Sequence, residues 1–354
     1  MRIRALDSIR GLLLLQMTLD HFGKPISHYL YQCFGFFSAA EGFFFLSGFV
    51  GMLAATSKSV KDPRQSWMRS RALKTWRYHL ASLLLLCCLG FWLIPRIYGN
   101  FKPMFQHPLE SIFWSVTLAH TPEWLDVLPL YVIFLLLGSF IFPMFVRAKS
   151  KIQVLLLWLP SLAVWIGAQL GLQDFINAVF PQWIYHGDFD PYAWQFLYFT
   201  GAAVAMWWKL ARREESAGNT FAVTSIQRLT PAVLVLLAFG FLWSHQFIPV
   251  ELPGDVLTSK VHLGAVRCTN FFLFVMAICW IVRRWPNLLD FRPTNLLGRH
   301  SLDVYTAHIF FIYFWMATPN SIRYHAPWNV LVPVTACVLL WVLAKLREPG
   351  KTKA

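Results

Sequence analysis

The first hydrophobic segment of the chain reads Ser8-Ile9-Arg10-Gly11-Leu12-Leu13-Leu14-Leu15-Gln16-Met17-Thr18-Leu19-Asp20-His21. On an α-helix, Arg10 and His21 lie on one face, within about 20° of each other and about 16 Å apart along the axis. The segment is apolar enough to enter a lipid bilayer, where ionisable side chains are costly and typical of functional sites. The alternative is an arginine that reaches back to the membrane surface and a histidine that packs against another helix.

The composition predicts an all-α polytopic membrane protein. Hydrophobic residues make up 57% of the chain and charged residues only 14%, and apolar runs such as Leu83-Leu84-Leu85-Leu86 are separated by short basic loops. Lipid admits only helices and closed barrels, and these runs lack the alternation of barrel strands, so they are predicted to be helices. The six cysteines lie without the spacing of metal ligands, and we expect neither a metal site nor disulfides.

The apolar segments predict about ten transmembrane helices in a single integral-membrane domain, residues 1–354. Their approximate ranges are 8–24, 34–56, 72–95, 124–146, 152–172, 192–210, 229–249, 262–282, 294–318 and 328–344. With both termini in the cytoplasm, 25 of the 31 Lys and Arg residues fall on the cytoplasmic side, as the positive-inside rule predicts. This topology accounts for the net charge of +14, so we do not expect nucleic acid as a partner. The short apolar segment 106–121 is predicted to be a helix on the membrane surface.

Few acidic residues fall at membrane depth. In the oriented topology Asp20, Glu41 and Asp126 lie with His21 in the outer half of the bilayer, although they come from the first, second and fourth spans. Titratable groups that converge at one depth from separate helices predict a shared polar pocket. The alternative for each residue taken singly is a structural hydrogen bond between helices.

The third span begins with a basic ridge. Arg71, Lys74 and Arg77 recur every three residues and therefore lie along one face of the helix. Arginine and lysine match phosphate oxygens through charge-assisted hydrogen bonds, so the ridge favours a phosphate-rich ligand. The alternative is ordinary positive charge that flanks a transmembrane helix.

The ninth span places three polar residues on one helix face. Ser301, Tyr305 and His308 occur at positions i, i+4 and i+7, and we expect them to line the interior. Core packing is the alternative for Tyr305 and His308. Asp303 lies four residues after Arg299, and we expect it to neutralise that arginine.

The order and spacing of several motifs resemble a known family. The Arg-x10-His first span, the second-span Phe43-Phe44-Phe45-Leu46-Ser47-Gly48-Phe49, the basic third span and the late Leu-Gly-x-x-Ser-x-x-x-Tyr-x-x-His resemble the membrane acyltransferase-3 superfamily. Other stretches resemble its OpgC family of periplasmic-glucan succinyltransferases: Asp20-His21, Ala39-Ala40-Glu41-Gly42-Phe43, Asp126-Val127-Leu128-Pro129-Leu130-Tyr131, Asp190-Pro191-Tyr192-Ala193-Trp194-Gln195 and Leu263-Gly264-Ala265-Val266-Arg267. The resemblance covers nearly the whole chain.

This resemblance implies acyl transfer across the bacterial inner membrane. Acyl-CoA would dock from the cytoplasm, with succinyl as the expected acyl group and acetyl as the alternative, and a carbohydrate such as a periplasmic glucan would accept the group on the other side. By the resemblance, His21 is the catalytic histidine, Arg10 belongs with it, and Arg71, Lys74 and Arg77 contact the nucleotide of CoA. The superfamily often has Arg-x-x-Arg where this chain has Arg71-x-x-Lys74-x-x-Arg77, which leaves open which pair binds CoA.

The expected mechanism is general-base catalysis. His21 would take the proton of a sugar hydroxyl as that hydroxyl attacks the thioester. Glu41 or Asp126 would fix its tautomer, because the adjacent Asp20 points about 100° away on the helix. A covalent acyl-histidine intermediate is the alternative route.

Five residues are expected to bind substrate: Arg267, Tyr305, His308, Trp194 and Gln195. Arg267 lies about four residues inside the outer end of the eighth span, where a buried arginine can bind the free carboxylate of a succinyl group through two hydrogen bonds. The alternative is that Arg267 pairs with Asp126, Glu41 or an acceptor hydroxyl.

Two other functions fit parts of the pattern. In a proton-coupled secondary transporter, Asp20, Glu41, Asp126 and His308 would form a proton relay. Such transporters tend to have internal repeats and paired broken helices, and the sequence contains neither. A weaker alternative is an inactive relative that assists a glucan-assembly system.

Overall fold

The computed structural model describes residues 3–92, 101–102, 104–181, 183–184, 186–216, 221–249, 256–285 and 287–348. All regular elements within these residues are helices, which confirms the all-helical prediction. In chain order they are α1 (Arg4–His21), α2 (Ile26–Leu30), α3 (Ala39–Lys58), α4 (Ser66–Trp92), α5 (Pro108–Val116), α6 (Val127–Arg147), α7 (Lys151–Gln169), α8 (Leu172–Asn177), α9 (Pro191–Ser216), α10 (Phe221–Ser244), α11 (Ala265–Arg284), α12 (Arg292–Arg299), α13 (Ser301–Ala317), α14 (Asn320–Arg323) and α15 (Trp328–Leu346).

The helices identify a membrane protein. Among the described residues, α3, α6, α7, α11 and α15 are long and apolar enough to cross a bilayer. Each of the ten predicted segments overlaps a helix, although 93–95 of the third segment lie outside the described residues. At nine residues α5 is too short to span, as expected for segment 106–121. Ten spans and cytoplasmic termini stay predictions.

The predicted ninth span is interrupted. Helix α12 ends at Arg299, His300 leaves helical geometry with φ −105° and ψ 31°, and α13 begins at Ser301. The expected pairing of Asp303 with Arg299 is wrong, because each of the two residues bonds to other groups. Arg299 forms an ion pair with Glu348.

Asp303 has other partners. It accepts a hydrogen bond of 2.8 Å from the hydroxyl of Tyr78 on α4, and its carboxylate lies 3.7 Å from Arg347. These contacts join α13 to α4 and to the end of α15.

Burial separates inner from outer helices. More than half of α3 and of α6 is buried, whereas less than a third of α7, α11 or α15 is. The exposed side chains on these outer helices are apolar, for example Leu155, Leu156 and Leu159 on α7 and Val334, Val338 and Leu339 on α15. Exposed apolar surface of this extent suits a protein whose outer face is solvated by lipid.

Glycines allow the inner helices α3 and α9 to touch along their backbones. A Cβ atom added to Gly48 would lie 1.8 Å from the carbonyl oxygen of Tyr198, and one added to Gly201 would lie 2.1 Å from that of Phe45. Small residues at helix interfaces permit this approach, and packing replaces the hydrophobic effect as the attraction between helices in lipid.

A second close crossing joins α1 to α12. A Cβ atom added to Gly11 would lie 1.8 Å from the carbonyl oxygen of Thr294, and one added to Gly298 would lie 1.8 Å from that of Asp7. Because α13 follows α12 after a single residue, this crossing also brings α13 alongside α1.

Substitution of Gly48 by Ala should destabilise the protein, because the added methyl group meets backbone atoms of Tyr198 that cannot rotate away. Overpacking of this kind costs about 1–3 kcal/mol of the free energy of unfolding, measurable by thermal or denaturant unfolding in detergent. Gly167→Ala is the matched control, because the nearest atom to its Cβ would be Leu172 Cδ2 at 3.5 Å. Equal stability of the two variants would contradict the close crossing of α3 and α9.

Candidate active site

Arg10 is buried between α1, α3 and α13. Its Nη2 donates a hydrogen bond of 2.8 Å to the hydroxyl of Ser301, and its Cζ lies 5.7 Å from the centre of the Phe43 ring. A guanidinium over an aromatic face is attracted by the ring, more strongly where water is excluded. The cation is therefore held in place by two other helices.

His21 ends α1 and lies between two rings. Its ring centre is 4.5 Å from that of Trp124, in an edge-on arrangement, and 5.5 Å from that of His308, which is stacked on it. The Nδ1 atom of His21 is buried and has no hydrogen-bond partner in the described part of the chain.

His308 is buried on α13 beneath His21. Its Nδ1 contacts the carbonyl oxygen of Tyr305, and since that oxygen only accepts, Nδ1 carries the proton. The Nε2 atom of this tautomer is an acceptor, buried and without a partner among the described residues. Arg10 and His21 thus both face α13, where their contacts are Ser301 and His308, as the spacing predicts.

A cavity of about 90 Å³ lies beside Arg10. Arg71, Tyr131, Ser301 and Tyr305 are among the residues that line it. Arg71 is exposed as well as lining the cavity, so the cavity opens to the surface at this residue.

Tyr305 also lines the cavity, and its ring centre lies 4.8 Å from that of His308. Tyr305 therefore contacts both the cavity and His308, whose ring stacks on that of His21.

The three residues of the basic ridge lie in two different environments. Arg71 lines the cavity, whereas Lys74 and Arg77 do not, and both are exposed on the flank of α4. The Nζ atom of Lys74 lies 5.5 Å from the ring centre of Tyr78, one turn further along. All three cations are accessible to a ligand from outside the bundle.

Glu41 is fully buried at the start of α3. One carboxylate oxygen accepts hydrogen bonds from the backbone amide (2.9 Å) and the hydroxyl (2.8 Å) of Ser38, which completes a capping box. The other oxygen accepts from Nε of Arg267, which is also fully buried. Charges this deep are retained only when they are paired.

The Glu41–Arg267 ion pair affects the catalytic role predicted for Glu41 and the substrate-binding role predicted for Arg267. Arg267 pairs with Glu41, which is one of the alternatives that the sequence leaves open. Recognition of a substrate carboxylate by Arg267 stays a prediction, and it would require exchange of this bond.

No carboxylate hydrogen-bonds to His21 among the described residues. Asp126 is buried and accepts the backbone amide of Asp188 at 2.9 Å. Asp20 lies within electrostatic range of Lys260, and so do Asp126 and His21. The expected orientation of His21 by Glu41 or Asp126 is not observed, because each of those carboxylates is bound by other groups. Catalytic roles for the three acids stay predictions.

Trp194 and Gln195 lie at the start of α9 with their polar groups bonded within the fold. The indole Nε1 of Trp194 donates to the carbonyl oxygens of Lys260 (3.1 Å) and Val261 (3.0 Å). Gln195 accepts from the hydroxyl of Ser161 at 2.7 Å and donates to its carbonyl oxygen at 2.9 Å. Substrate binding by these two residues stays a prediction, and the observed contacts instead hold the loop before α11 and helix α7.

Asp190 caps α9. Its carboxylate accepts the amides of Tyr192 (2.8 Å) and Ala193 (3.3 Å), with Pro191 as the first helical residue. Burial raises the pKa of Asp190, and the hydrogen bond with His262 at 3.3 Å opposes that shift. The Asp-Pro pair in this motif thus marks a helix start.

Three further residues are not predicted from the sequence: Trp124 contacts His21, Lys260 lies within electrostatic range of it, and Thr121 lies close to Gly187. The Thr121 hydroxyl and the Trp124 Nε1 are buried without hydrogen-bond partners in the described part of the chain. In the sequence Trp124 coincides with the start of an apolar span, so no pattern distinguishes it from an ordinary interfacial tryptophan. Lys260 belongs to the small number of cations on the predicted outer side, which is the only sequence signal for it.

Comparison with known proteins gives one match. The profile of the family described as OpgC protein matches residues 2–352. No curated protein and no solved structure matches the chain. Because the family match covers nearly the whole chain, this protein belongs to the OpgC family, and this membership implies an acyltransferase-type enzyme of the glucan succinyltransferase kind.

Proposed function

We propose that this protein is a transmembrane O-acyltransferase of the bacterial inner membrane. It transfers an acyl group, succinyl by family expectation, from cytoplasmic acyl-CoA to hydroxyls of a periplasmic glucan or related polysaccharide. The observation that carries the proposal is the arrangement along α1, where Arg10 lines a cavity that opens at Arg71 and His21, at the end of the same helix, stacks on buried His308.

The size of the cavity and the charge around its opening are consistent with acyl-CoA as the donor. Its volume of about 90 Å³ corresponds to a few water molecules, so it excludes a nucleotide and admits only a slender chain such as the end of the pantetheine arm. The phosphates of CoA then remain at the mouth, where Arg71 is exposed and Lys74 and Arg77 extend the positive surface. The thioester at the end of the arm is directed past Tyr305 towards His21.

The chemistry requires a single proton carrier. The sugar hydroxyl oxygen attacks the thioester carbonyl carbon while its proton passes to His21, and the tetrahedral intermediate collapses as the C–S bond breaks. His21 then returns the proton to the departing thiolate, so that ester and free CoA are formed. General-base catalysis of this kind typically contributes about 10²–10⁴-fold. A covalent acyl-histidine route would use the same side chain.

The neighbours of His21 suit this role. Burial between Trp124 and His308 fixes the ring plane by packing, since the described residues provide no carboxylate bond to it. Lys260 lies within electrostatic range of the imidazole. A neutral histidine is the form that can accept a proton.

The alternative of a proton-coupled transporter has less support. A relay through Glu41 would have to protonate a carboxylate that is bonded to buried Arg267. Loss of that charge would leave the arginine uncompensated in the protein interior, which is strongly unfavourable.

Replacement of His21 by Ala should abolish most transfer without loss of the fold. With labelled succinyl-CoA and purified periplasmic glucan, turnover in detergent should fall by about 10²–10⁴-fold, because the attacking hydroxyl loses its base. The melting temperature and CoA affinity should change little. His28→Ala, at an exposed histidine seven residues further on, is the control and should keep wild-type turnover. Wild-type turnover of the His21 variant would exclude the general-base role.

Neutralisation of Arg71 should weaken acyl-CoA binding more than neutralisation of Arg77, because only Arg71 both lines the cavity and reaches its mouth. A hydrogen bond to a charged group contributes about 1.5–3 kcal/mol, so Arg71→Gln should raise the Kd for CoA by about 10- to 100-fold in calorimetry. Arg77→Gln removes the same charge and is the matched control. Equal affinities for the two variants would show that the ridge acts only through its total charge.

A further inference from the structure

Trp124 has an unusual backbone conformation beside His21. Its φ angle is +69°, in the left-handed region that bulky side chains rarely adopt. Such conformations persist only where the surrounding structure enforces them, and they cluster at functional sites.

The surrounding structure holds this turn firmly. The hydroxyl of Tyr313 donates to the carbonyl oxygen of Glu123, and the amide of Leu125 donates to that of Pro122 at 3.0 Å. Asp126 accepts the amide of Asp188 at 2.9 Å, which ties the following residues to a second loop. The conformation of Trp124 is therefore imposed from both sides.

The indole of Trp124 presents an unused donor. Its Nε1 is buried and has no partner among the described residues, and an indole N–H can only donate. Its ring contacts His21 at 4.5 Å between centres. Buried donors in native structures are nearly always bonded, and an exception at a reactive centre indicates an acceptor that arrives with the substrate.

The other unpartnered polar atoms nearby cannot replace this donor. Nε2 of His308 is an acceptor in the tautomer that its Tyr305 contact requires. The hydroxyl of Thr121 also lacks a partner among the described residues. It faces the loop at Gly187, because a Cβ atom added to Gly187 would lie 3.0 Å from this hydroxyl and 2.6 Å from Cβ of Asp126. Trp124 is the donor in direct contact with His21.

We propose that the indole N–H of Trp124 donates a hydrogen bond to the thioester carbonyl oxygen as that oxygen becomes negative. The inference rests on the proposed acyltransferase function. When the hydroxyl oxygen bonds to the carbonyl carbon, the carbonyl electron pair moves onto its oxygen, and Trp124 binds this oxyanion without transfer of its proton. When the carbonyl re-forms, the C–S bond breaks and the thiolate takes the proton from His21. Donors fixed at such a position stabilise the transition state more than the ground state.

The test replaces the N–H group alone. Trp124 is changed to 3-benzothienylalanine, in which sulfur takes the place of the indole N–H in a ring of nearly the same shape, and Trp124→Phe serves as a second variant. Succinyl-CoA hydrolysis and succinyl transfer to glucan are both measured in the purified full-length protein. The kcat for both reactions should fall by about 10²-fold, with the KM for succinyl-CoA changed by less than about threefold, because an oxyanion forms with either water or sugar as the acceptor.

Trp158→Phe is the matched control, because its Nε1 donates to the hydroxyl of Thr200 between α7 and α9. It should leave both reactions near the wild-type rate. Loss of glucan transfer with unchanged hydrolysis in the Trp124 variants would overturn the inference and assign Trp124 to the acceptor instead. Unchanged kcat in both reactions would also overturn it. An inactive wild-type protein would count against the proposed function itself, which keeps the two failures distinct.

Discussion

The close crossing of α1 with α12 is the constraint on which the arrangement of the site depends. Gly11 and Gly298 each lie so near the backbone of the other helix that a single methyl group would collide with it. Because α13 follows at once, the crossing sets the distance between α1 and α13 along their shared length. The Arg10–Ser301 hydrogen bond and the His21–His308 stack are the two contacts that result. Arg10, which lines the cavity, and the stacked rings of His21 and His308 are thereby held in fixed positions relative to one another.

The Glu41–Arg267 pair stabilises the neighbouring part of the frame. It connects the first turn of α3 to α11, and Ser38 bonds to the same carboxylate. Removal of one partner from a buried pair typically costs about 3–5 kcal/mol, because the remaining charge has no compensation. This contact gives both residues a structural explanation that does not require substrate. The cluster around His21 differs, because Trp124 Nε1, His21 Nδ1 and His308 Nε2 are buried without hydrogen-bond partners in the described part of the chain.

Periodicity and hydropathy predicted much of this architecture. The all-helical class and the shared face of Ser301 and His308 follow from hydropathy and helical geometry and are observed, whereas the contact of both residues with α1 depends on how the helices pack. The break at His300 was not predictable, since Leu297 to His308 contains no proline and Ser301, Tyr305 and His308 keep helical spacing through it. No local sequence pattern selects the ion pair between Glu41 and Arg267 from its alternatives, because that pairing depends on how α3 and α11 pack. The positive φ of Trp124 is imposed by Tyr313 and the loop at Asp188, both distant in sequence.

We propose that one site receives its donor from the cytoplasmic face and its acceptor from the periplasmic face. Sealed right-side-out vesicles of bacterial inner membrane test it directly, with labelled succinyl-CoA enclosed and periplasmic glucan added outside. Vesicles that contain the His21→Ala variant provide the background. We expect label on the external glucan only when the succinyl-CoA is inside the vesicles. Label that appears only when donor and acceptor share one face would contradict it.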